Sequence, residues 1–522
     1  MTEGGSLPLA GALVILPALA ATGLLEVAAG IYTRARAAFY GLASLVLTVV
    51  LAALVGEPRA EGLTRIDPAD LGRLLGLDRA PEVRTIRRRF QAITHQNRSA
   101  DLIATLARRH VEANKVAAGV FYVDGHVRAY HGTADIPKAH LARMRLAMPA
   151  AVDTWVADSR GDGVLVWSEE PGASLVGELA RVATEVRALV GPGARPTIIF
   201  DRGGWSPKLF AQLVAAGFDI ATYRKGPKPI EPGSAFVAHR HLDEAGRAHD
   251  YLLADRNVRI RYDGGRHYFA CRQITRLQDD RHQTQVLTTR ADPDPAPVAH
   301  AMFSRWRQEN FFRYMRAHFA LDGLDSYATV PDDLTRAVTN PAKRAVTAAV
   351  AEAAAVISAG EAGYGRAARA GVSGNVAKAH AELGAAIDGA KEHLAALEAT
   401  AKATPAKAPL GDSHPNARRL DPERKRIFDA IRMATYNAES ALARLLGPHY
   451  ARAEDEARSF LREVYTSPAD LEVIDGRLHV RINPLSAPRR SRALAGLCTD
   501  LTATETTYPG TELVLVYSVK DF

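Results

Sequence analysis

Residues 196–201, Pro-Thr-Ile-Ile-Phe-Asp, restrict the possible folds of this chain more than any other stretch. A short unbroken apolar run suits a strand buried on both faces, the kind found where helices cover both sides of a sheet. The residues that follow read as a turn and a helix. Gly203-Gly204 lets the chain turn, Ser206 is placed to cap a helix, Pro207 to occupy its first position and Gly217 to end it. Residues 218–223, Phe-Asp-Ile-Ala-Thr-Tyr, read as the next strand. Strands alternating with helices call for a mixed sheet covered by helices. The first run closes on Asp201. A carboxylate at the end of a buried strand needs a partner or a metal ion, unless it simply caps the turn that follows, as Asp often does.

The flanking segments extend this α/β pattern. Residues 116–131 (VAAGVFYVDGHVRAYH) are expected to form two strands around a short turn at Asp124-Gly125. Residues 154–167 read as a second hairpin turning at Gly161-Asp162-Gly163, where the Arg-Gly-Asp triplet is turn chemistry. Apolar spacing places a helix over about 175–189. Residues 228–295 change character to short alternating segments, with a hairpin signal at Asp263-Gly264-Gly265, and read as a β-rich insertion. It carries Arg256, Arg259, Arg261, Arg266, Arg272 and Arg276. Such a face suits a nucleic-acid backbone, or serves as a charged edge that blocks sheet aggregation. A helix follows over 298–321, with Met302, Phe303, Trp306, Phe311, Tyr314 and Met315 marking its packed face. Arg305, Glu309 and Arg316 share roughly one side of it, which is also the pattern of an intrahelical salt-bridge ladder.

Composition narrows the function class less than the arrangement does. The chain has 522 residues, enough for three or four domains, and its 47% hydrophobic and 24% charged residues describe a globular protein. Its 66 Lys+Arg against 58 Asp+Glu exclude an acidic solvating protein and weakly favour a polyanionic partner. Two cysteines, Cys271 and Cys498, cannot build a zinc cluster or a disulfide framework. Two stretches near the amino terminus, Gly4–Leu25 and Ala37–Gly56, carry charge only outside their bounds, and the second is about long enough to span a bilayer. They form either a membrane hairpin with Arg34 and Arg36 in its loop, or helices buried in a helical domain. Pro17, the abundance of Gly and Ala, and the lack of a further spanning segment favour burial.

Residues 63–90 carry helix-turn-helix grammar. Asp67 or Asp70 caps a short helix, Pro81 begins a second, and Arg84, Arg87, Arg88 and Arg89 lie along it, either as phosphate contacts or as a solvated basic face. Residues 332–402 are Ala-rich and predict two antiparallel helices, with Pro341 near the start and a break between Gly360 and Gly374. Residues 403–419 read as a Pro-containing linker. Residues 421–446 form a clean amphipathic helix, and a small α/β cap of strand, turn, strand, helix and strand ends the chain.

Several of these segments together resemble a bacterial insertion-sequence transposase of the DDE type, whose catalytic domain is RNase H-like. The resemblance rests on FYVDGHVRAYHG (121–132), IIFDRGGWSPKLF (198–210), ITRL with HQTQVLTT (274–289) and RWRQENFFRYM (305–315). It extends to 71–90, 436–450 and 503–511 and covers nearly the whole chain. By position, Asp124 matches the family's first catalytic aspartate, Asp201 the second and Glu309 the catalytic glutamate. Members with a β insertion before the last catalytic helix carry a Tyr, Arg, Glu, Lys signature around that glutamate. Arg305 matches its Arg, whereas Arg316 stands where Lys is usual and Met302 where Tyr is usual.

The resemblance implies a mixed α/β RNase H-like core with a β-rich insertion, a helical amino-terminal domain, a helical arm and a small α/β cap. The expected layout is 1–62 apolar helical entry, 63–112 helix-turn-helix-like DNA-binding segment, 113–330 catalytic domain with 228–295 as insertion, 331–402 arm, 403–420 linker and 421–522 cap. Two Mg²⁺ (or Mn²⁺) ions held by Asp124, Asp201 and Glu309 would serve metal-dependent cleavage at transposon ends and strand transfer into target DNA. Arg305 and Arg316 would hold phosphates near the scissile bond, with Arg84, Arg87 and Arg88 contacting DNA elsewhere. The expected setting is cytoplasmic and nucleoid-associated, as a homo-oligomer on DNA with no membrane partner. The alternatives are an inactive, transposase-derived DNA-binding protein and a membrane-attached protein that uses the two apolar runs.

Overall fold

The computed structural model describes residues 5–33, 39–226, 229–244, 246–369 and 375–521, without the side chains of 306–309, 367 and 375–377. The chain divides into two compact units. One comprises residues up to 130, 139–328 and 421 onward; the other comprises 131–138 and 329–420.

The larger unit is built on a ten-stranded sheet. Its order from one edge is Lys138–Leu141, Leu146–Asp158, Val120–Ala129, Thr197–Phe200, Asp219–Tyr223, Gln283–Thr288, His267–Leu277, Ala248–Tyr262 and Val237–Leu242, with Gly163–Glu169 pairing additionally on Leu146–Asp158. The Val120, Thr197 and Asp219 strands run parallel, as expected for the all-apolar 197–200 run, and Thr197, Ile198, Ile199 and Phe200 are all buried. Helices Leu175–Val190 and Pro207–Ala215 link these strands, each capped by its serine: Ser174 accepts from Gly177 N and Ser206 from Leu209 N.

The expected turn at Asp124-Gly125 is absent. Val120–Ala129 is one strand, and every residue from Phe121 to Ala129 pairs with the antiparallel run 150–158, Asp124 opposite Trp155 and Gly125 opposite Thr154. A local Asp-Gly signal has been overridden by a continuous ladder. The β-rich insertion does exist, but as an extension of the central sheet. Its strand Gln283–Thr288 pairs Val286 with Tyr223 and Thr288 with Ala221. The hairpin signal at 263–265 is genuine, with φ of 50°, 66° and 87° at Asp263, Gly264 and Gly265.

The apolar amino-terminal runs form a 3-10 turn (Ala10–Ile15) and helices Leu16–Thr22, Leu24–Ile31 and Leu42–Leu54. Leu13, Val14, Ile15, Leu45, Val50 and Leu51 are at most 1% exposed and join the main core together with residues of the long helix Glu423–Leu446. At Gly11 an added Cβ would lie 1.9 Å from the Val464 carbonyl oxygen, so only glycine permits this approach. Arg34 and Arg36 lie outside the described residues.

The short helix Pro68–Leu74 is capped by Asp67, whose carboxylate accepts from Ala69 N and Asp70 N at 2.7 and 3.1 Å. The next helix is Val83–Thr94 with Glu82 at its cap, so Pro81 precedes the helix and does not occupy its first turn. Ile86, Phe90 and Ile93 face inward, and Phe90 lies 4.6 Å from the Phe428 ring. The carboxyl-terminal strands Ala469–Ile474, Arg477–Ile482 and Val514–Val519 form a second sheet that Gly5–Leu7 completes at its edge. Tyr517 donates to the Leu13 carbonyl (2.9 Å) and Tyr508 to that of Leu74 (2.8 Å), fastening the cap to the entry helices.

In the smaller unit, helices Pro341–Arg369 and Asn375–Ala403 pack antiparallel. Lys343 donates to Ala401, Ile387 meets Gly360, Glu361 pairs with Lys391 and Tyr364 stacks on His380, contacts that run in opposite directions along the two helices. Each helix is roughly 44 Å long at 1.5 Å per residue. By length and composition alone Pro341–Arg366 is long and apolar enough to cross a membrane, a segment the sequence pattern did not single out as a span, and the bent pair Ala10–Thr22 and Leu24–Ile31, which begins in the first apolar run, passes the same test together. The stretch expected to be a linker is ordered: Lys407–Pro409 pairs with Ala337–Thr339, and Arg418–Leu420 with Thr329–Pro331.

Candidate carboxylate site

Asp124 and Asp201 come together through register. The parallel ladder pairs Val123 with Phe200, and the next residue on each strand is an aspartate. Neighbouring strands lie about 4.8 Å apart. Asp201 leaves the sheet to cap the 3-10 turn Arg202–Gly204, with Oδ1 accepting from Gly203 N at 2.7 Å. The turn needs both glycines: a Cβ at 203 would sit 2.8 Å from that Oδ1, and one at 204 would sit 2.5 Å from the Phe200 ring. Asp201 is therefore a turn cap, and capping engages one of its two carboxylate oxygens.

Asp124 Oδ1 accepts from the Gly125 N–H at 2.9 Å, and Oδ2 meets Arg305 Nη1 at 3.2 Å. Burial pushes its carboxyl up to about 6; the Arg305 charge opposes this, and the negative charge of Asp201 adds to it. Two carboxylates this close repel, and a cation between them relieves that repulsion.

Arg305 caps the helix Trp306–Phe319 and is itself 9% exposed. Glu309 lies in the first turns of that helix, one turn beyond Arg305; its side chain falls outside the described residues. The preceding helix, Ala296–Phe303, lies on the sheet and is held by two tyrosine hydroxyls, Tyr122 to Ala301 O (2.8 Å) and Tyr223 to Met302 O (3.5 Å). Met302 is fully buried against Tyr122, Ile199, Ala221 and Val286. Arg316 is half-buried farther along the second helix and forms no ion pair among the described residues.

Two residues before the aspartates, pairing carries one row across the sheet: Ala157, Tyr122, Ile199, Ala221, Thr288, Arg272 and Asn257. Residues directly opposite one another share a face. By alternation, Arg259 and Arg261 of the insertion, with Tyr268 opposite Arg261, lie on the face that carries the aspartates. Arg259 and Arg261 are exposed, and Arg261 lies over the Tyr268 ring at 5.4 Å. Closer in, Arg202 lies over Tyr223 (5.7 Å) and Arg276 over Phe303 (5.0 Å). Sequence reasoning did not single out Arg202 or the two tyrosines; the adjacency of Arg202 to Asp201 was the only available signal.

The basic helix is divided. Arg84, Arg87 and Arg88 are exposed; Arg87 pairs with Glu61, whereas Arg84 and Arg88 form no ion pair among the described residues. A separate cluster brings ligand atoms of His110, Asp158 and Asp162 within 4.8 Å of one another. Its bonds are those of a stabilised turn: Asp158 accepts from Arg160 N and Asp162 N and meets His110, while Arg444 holds Asp162 at 2.8 Å.

The larger unit is thus a mixed α/β sheet in which Asp124, within one strand, and Asp201, directly after the neighbouring parallel strand, lie close together, with Arg305 reaching Asp124. A family model described as Transposase protein matches residues 5–521, and the chain belongs to that family. No curated protein matches it.

Proposed function

We propose that this transposase is of the DDE type and cuts and joins DNA at Asp124, Asp201 and Glu309, with an RNase H-like arrangement of the sheet around them. The observation that carries the reading is the register placing Asp124 beside Asp201, with mutual repulsion contributing to the raised Asp124 carboxyl. Two hard oxygen donors on a rigid sheet suit Mg²⁺ or Mn²⁺. When bound, two such ions would supply activation of the attacking oxygen and neutralise charge at the phosphorus.

The chain's own groups do the rest. Gly125 N–H and Gly203 N–H each occupy one oxygen of an aspartate and fix its rotamer. Arg305 neutralises Asp124 and is placed to exchange that contact for a DNA phosphate. Arg316, Arg84 and Arg88 are further phosphate contacts, and Arg87 becomes one on leaving Glu61. The exposed Arg259 and Arg261 extend the same face toward the DNA path. The protein works in the cytoplasm, on nucleoid DNA, as a homo-oligomer assembled on transposon ends.

The Arg305–Asp124 pair favours one second reading: a transposase-derived DNA-binding protein whose acid is permanently masked. One experiment separates the two. A plasmid carrying the element's terminal repeats is incubated with protein and Mg²⁺ or Mn²⁺. Strand cleavage lost in Asp124→Asn, Asp201→Asn and Glu309→Gln, with DNA binding retained, supports the first reading. Binding without cleavage in either metal establishes the second.

A further inference from the structure

The turn at Ser304-Arg305 separates the helices Ala296–Phe303 and Trp306–Phe319, and it sets where the Arg305 guanidinium stands relative to Asp124. Ser304 is 5% exposed, and its Oγ lies 3.1 Å from His300 Nε2. His300 Nδ1 lies in turn 3.0 Å from the Tyr251 hydroxyl. Tyr251 belongs to the insertion strand Ala248–Tyr262. The path from the insertion to the arginine that meets the acid is thus three hydrogen-bonding side chains long, and all three are buried.

The chemistry of the path is consistent. A neutral imidazole has one donor and one acceptor nitrogen. If the Tyr251 hydroxyl donates to Nδ1, then Nε2–H donates to the Ser304 oxygen. Both nitrogens are used, and a single tautomer satisfies the chain. The imidazole also packs against two insertion histidines that face each other across the strand pair, His241 at 4.4 Å and His249 at 4.5 Å between ring centres. Displacing the insertion strands therefore moves the ring, and moving the ring releases the Ser304 hydroxyl.

We propose that His300 is a positioning residue that couples the β insertion to the turn carrying Arg305, so that DNA seated on the insertion is felt at Asp124. This rests on the reading of Asp124 as a catalytic carboxylate. A histidine that merely filled space would be replaced well by Leu or Phe and poorly by Gln. A positioning histidine behaves in the opposite way, because a Gln side chain can place an amide near the Nε2 position and keep the Ser304 contact.

The test compares full-length wild type with His300→Leu, His300→Gln and Ser304→Ala by two readouts. One is hydrogen–deuterium exchange of the peptide spanning the Ser304-Arg305 turn, which needs no catalysis. The other is the split between kcat and DNA KM in strand cleavage. We expect His300→Leu to speed exchange at the turn and lower kcat by about tenfold each, the scale of one lost net hydrogen bond. KM should hold, and His300→Gln should return both readouts close to wild type. Ser304→Ala removes only the Oγ, keeps the packing, and serves if His300→Leu does not fold; it should show the same two losses. Leu matching wild type, or Gln failing as badly as Leu, overturns the coupling. A wild type that never cleaves DNA overturns the catalytic reading instead, while the exchange readout still decides whether the insertion and the turn are tied.

Discussion

Tyr122 donates its hydroxyl to the carbonyl of Ala301 across 2.8 Å, joining the strand that carries Asp124 to the helix that leads into Arg305 and Glu309. Ala301 is near the carboxyl end of the helix Ala296–Phe303, where carbonyls lack intrahelical partners. Tyr122→Phe should destabilise the fold by about 1 kcal/mol, the net worth of one hydrogen bond. It should also reduce strand cleavage more than DNA binding. Urea denaturation together with a gel-shift assay checks both; a variant with wild-type stability and cleavage would show that the bond is incidental.

The Asp124 carboxyl, pushed up to about 6 chiefly by burial, makes two pH predictions. A cation binds the ionised form, so metal-dependent cleavage should rise with pH through that region. For stability the sign runs the other way. A carboxyl that holds its proton more tightly when folded costs nothing below its unfolded pKa and penalises the fold as pH climbs from about 4 to about 6. The cost is at most ~3 kcal/mol. In EDTA at pH 7.5, Asp124→Asn should therefore melt higher than wild type, with the difference gone at pH 4. A lower melting temperature at pH 7.5 would contradict this account.

Glu169 extends the same logic to a position away from the site. Burial, and then hydrogen bonding and repulsion from Glu178, push its carboxyl up to about 9, and one of its oxygens is buried without a partner. The unfolded carboxyl ionises near its ordinary value while the folded one keeps its proton, so this position costs stability progressively as pH climbs from about 4.5 to about 9 and no further above that. Glu169→Gln, which keeps the neutral shape without an ionisable group, should match wild type near pH 4, melt increasingly above it as pH rises, and hold a constant margin above about pH 9. Melting curves between pH 4 and pH 10 decide it.

Charge pairs of different burial should behave differently on truncation. Arg432 grips both oxygens of Asp325 at 2.6 and 2.7 Å and reaches Asp429, which also pairs with the buried Lys425. Arg432→Ala takes the bidentate partner from Asp325 and leaves Lys425 as the remaining cation for both acids, and should cost about 3 kcal/mol. Arg88 is exposed. Arg88→Ala should leave the melting temperature unchanged, weaken DNA binding regardless of sequence and reduce the salt dependence of log K by about 1 unit of slope. Salt titrations of binding test the Arg88 part, and an unchanged slope would remove Arg88 from the interface.

Much of the fold was legible locally. The caps at Asp67 and Ser206 follow from side chain and backbone a few residues apart, and so do the hairpin at 263–265 and the buried 197–200 strand. Errors arose where a local signal met a distant partner. Asp124-Gly125 has the composition of a turn, but the 150–158 strand lies beside it and the ladder prevails. The 403–420 stretch has the composition of a linker, yet it pairs with strands from 329–339.

The sequence by itself determined which acids could stand beside apolar strand runs, and which segments carried clustered arginines. Only the tertiary structure decided that Asp124 and Asp201 are neighbours, that Arg305 stands on Asp124 and that the amino-terminal apolar runs serve a core shared with the Glu423 helix. The reason is physical. Caps and turns are settled by atoms within a few residues, whereas strand register and helix docking are settled by how much apolar surface distant segments bury together.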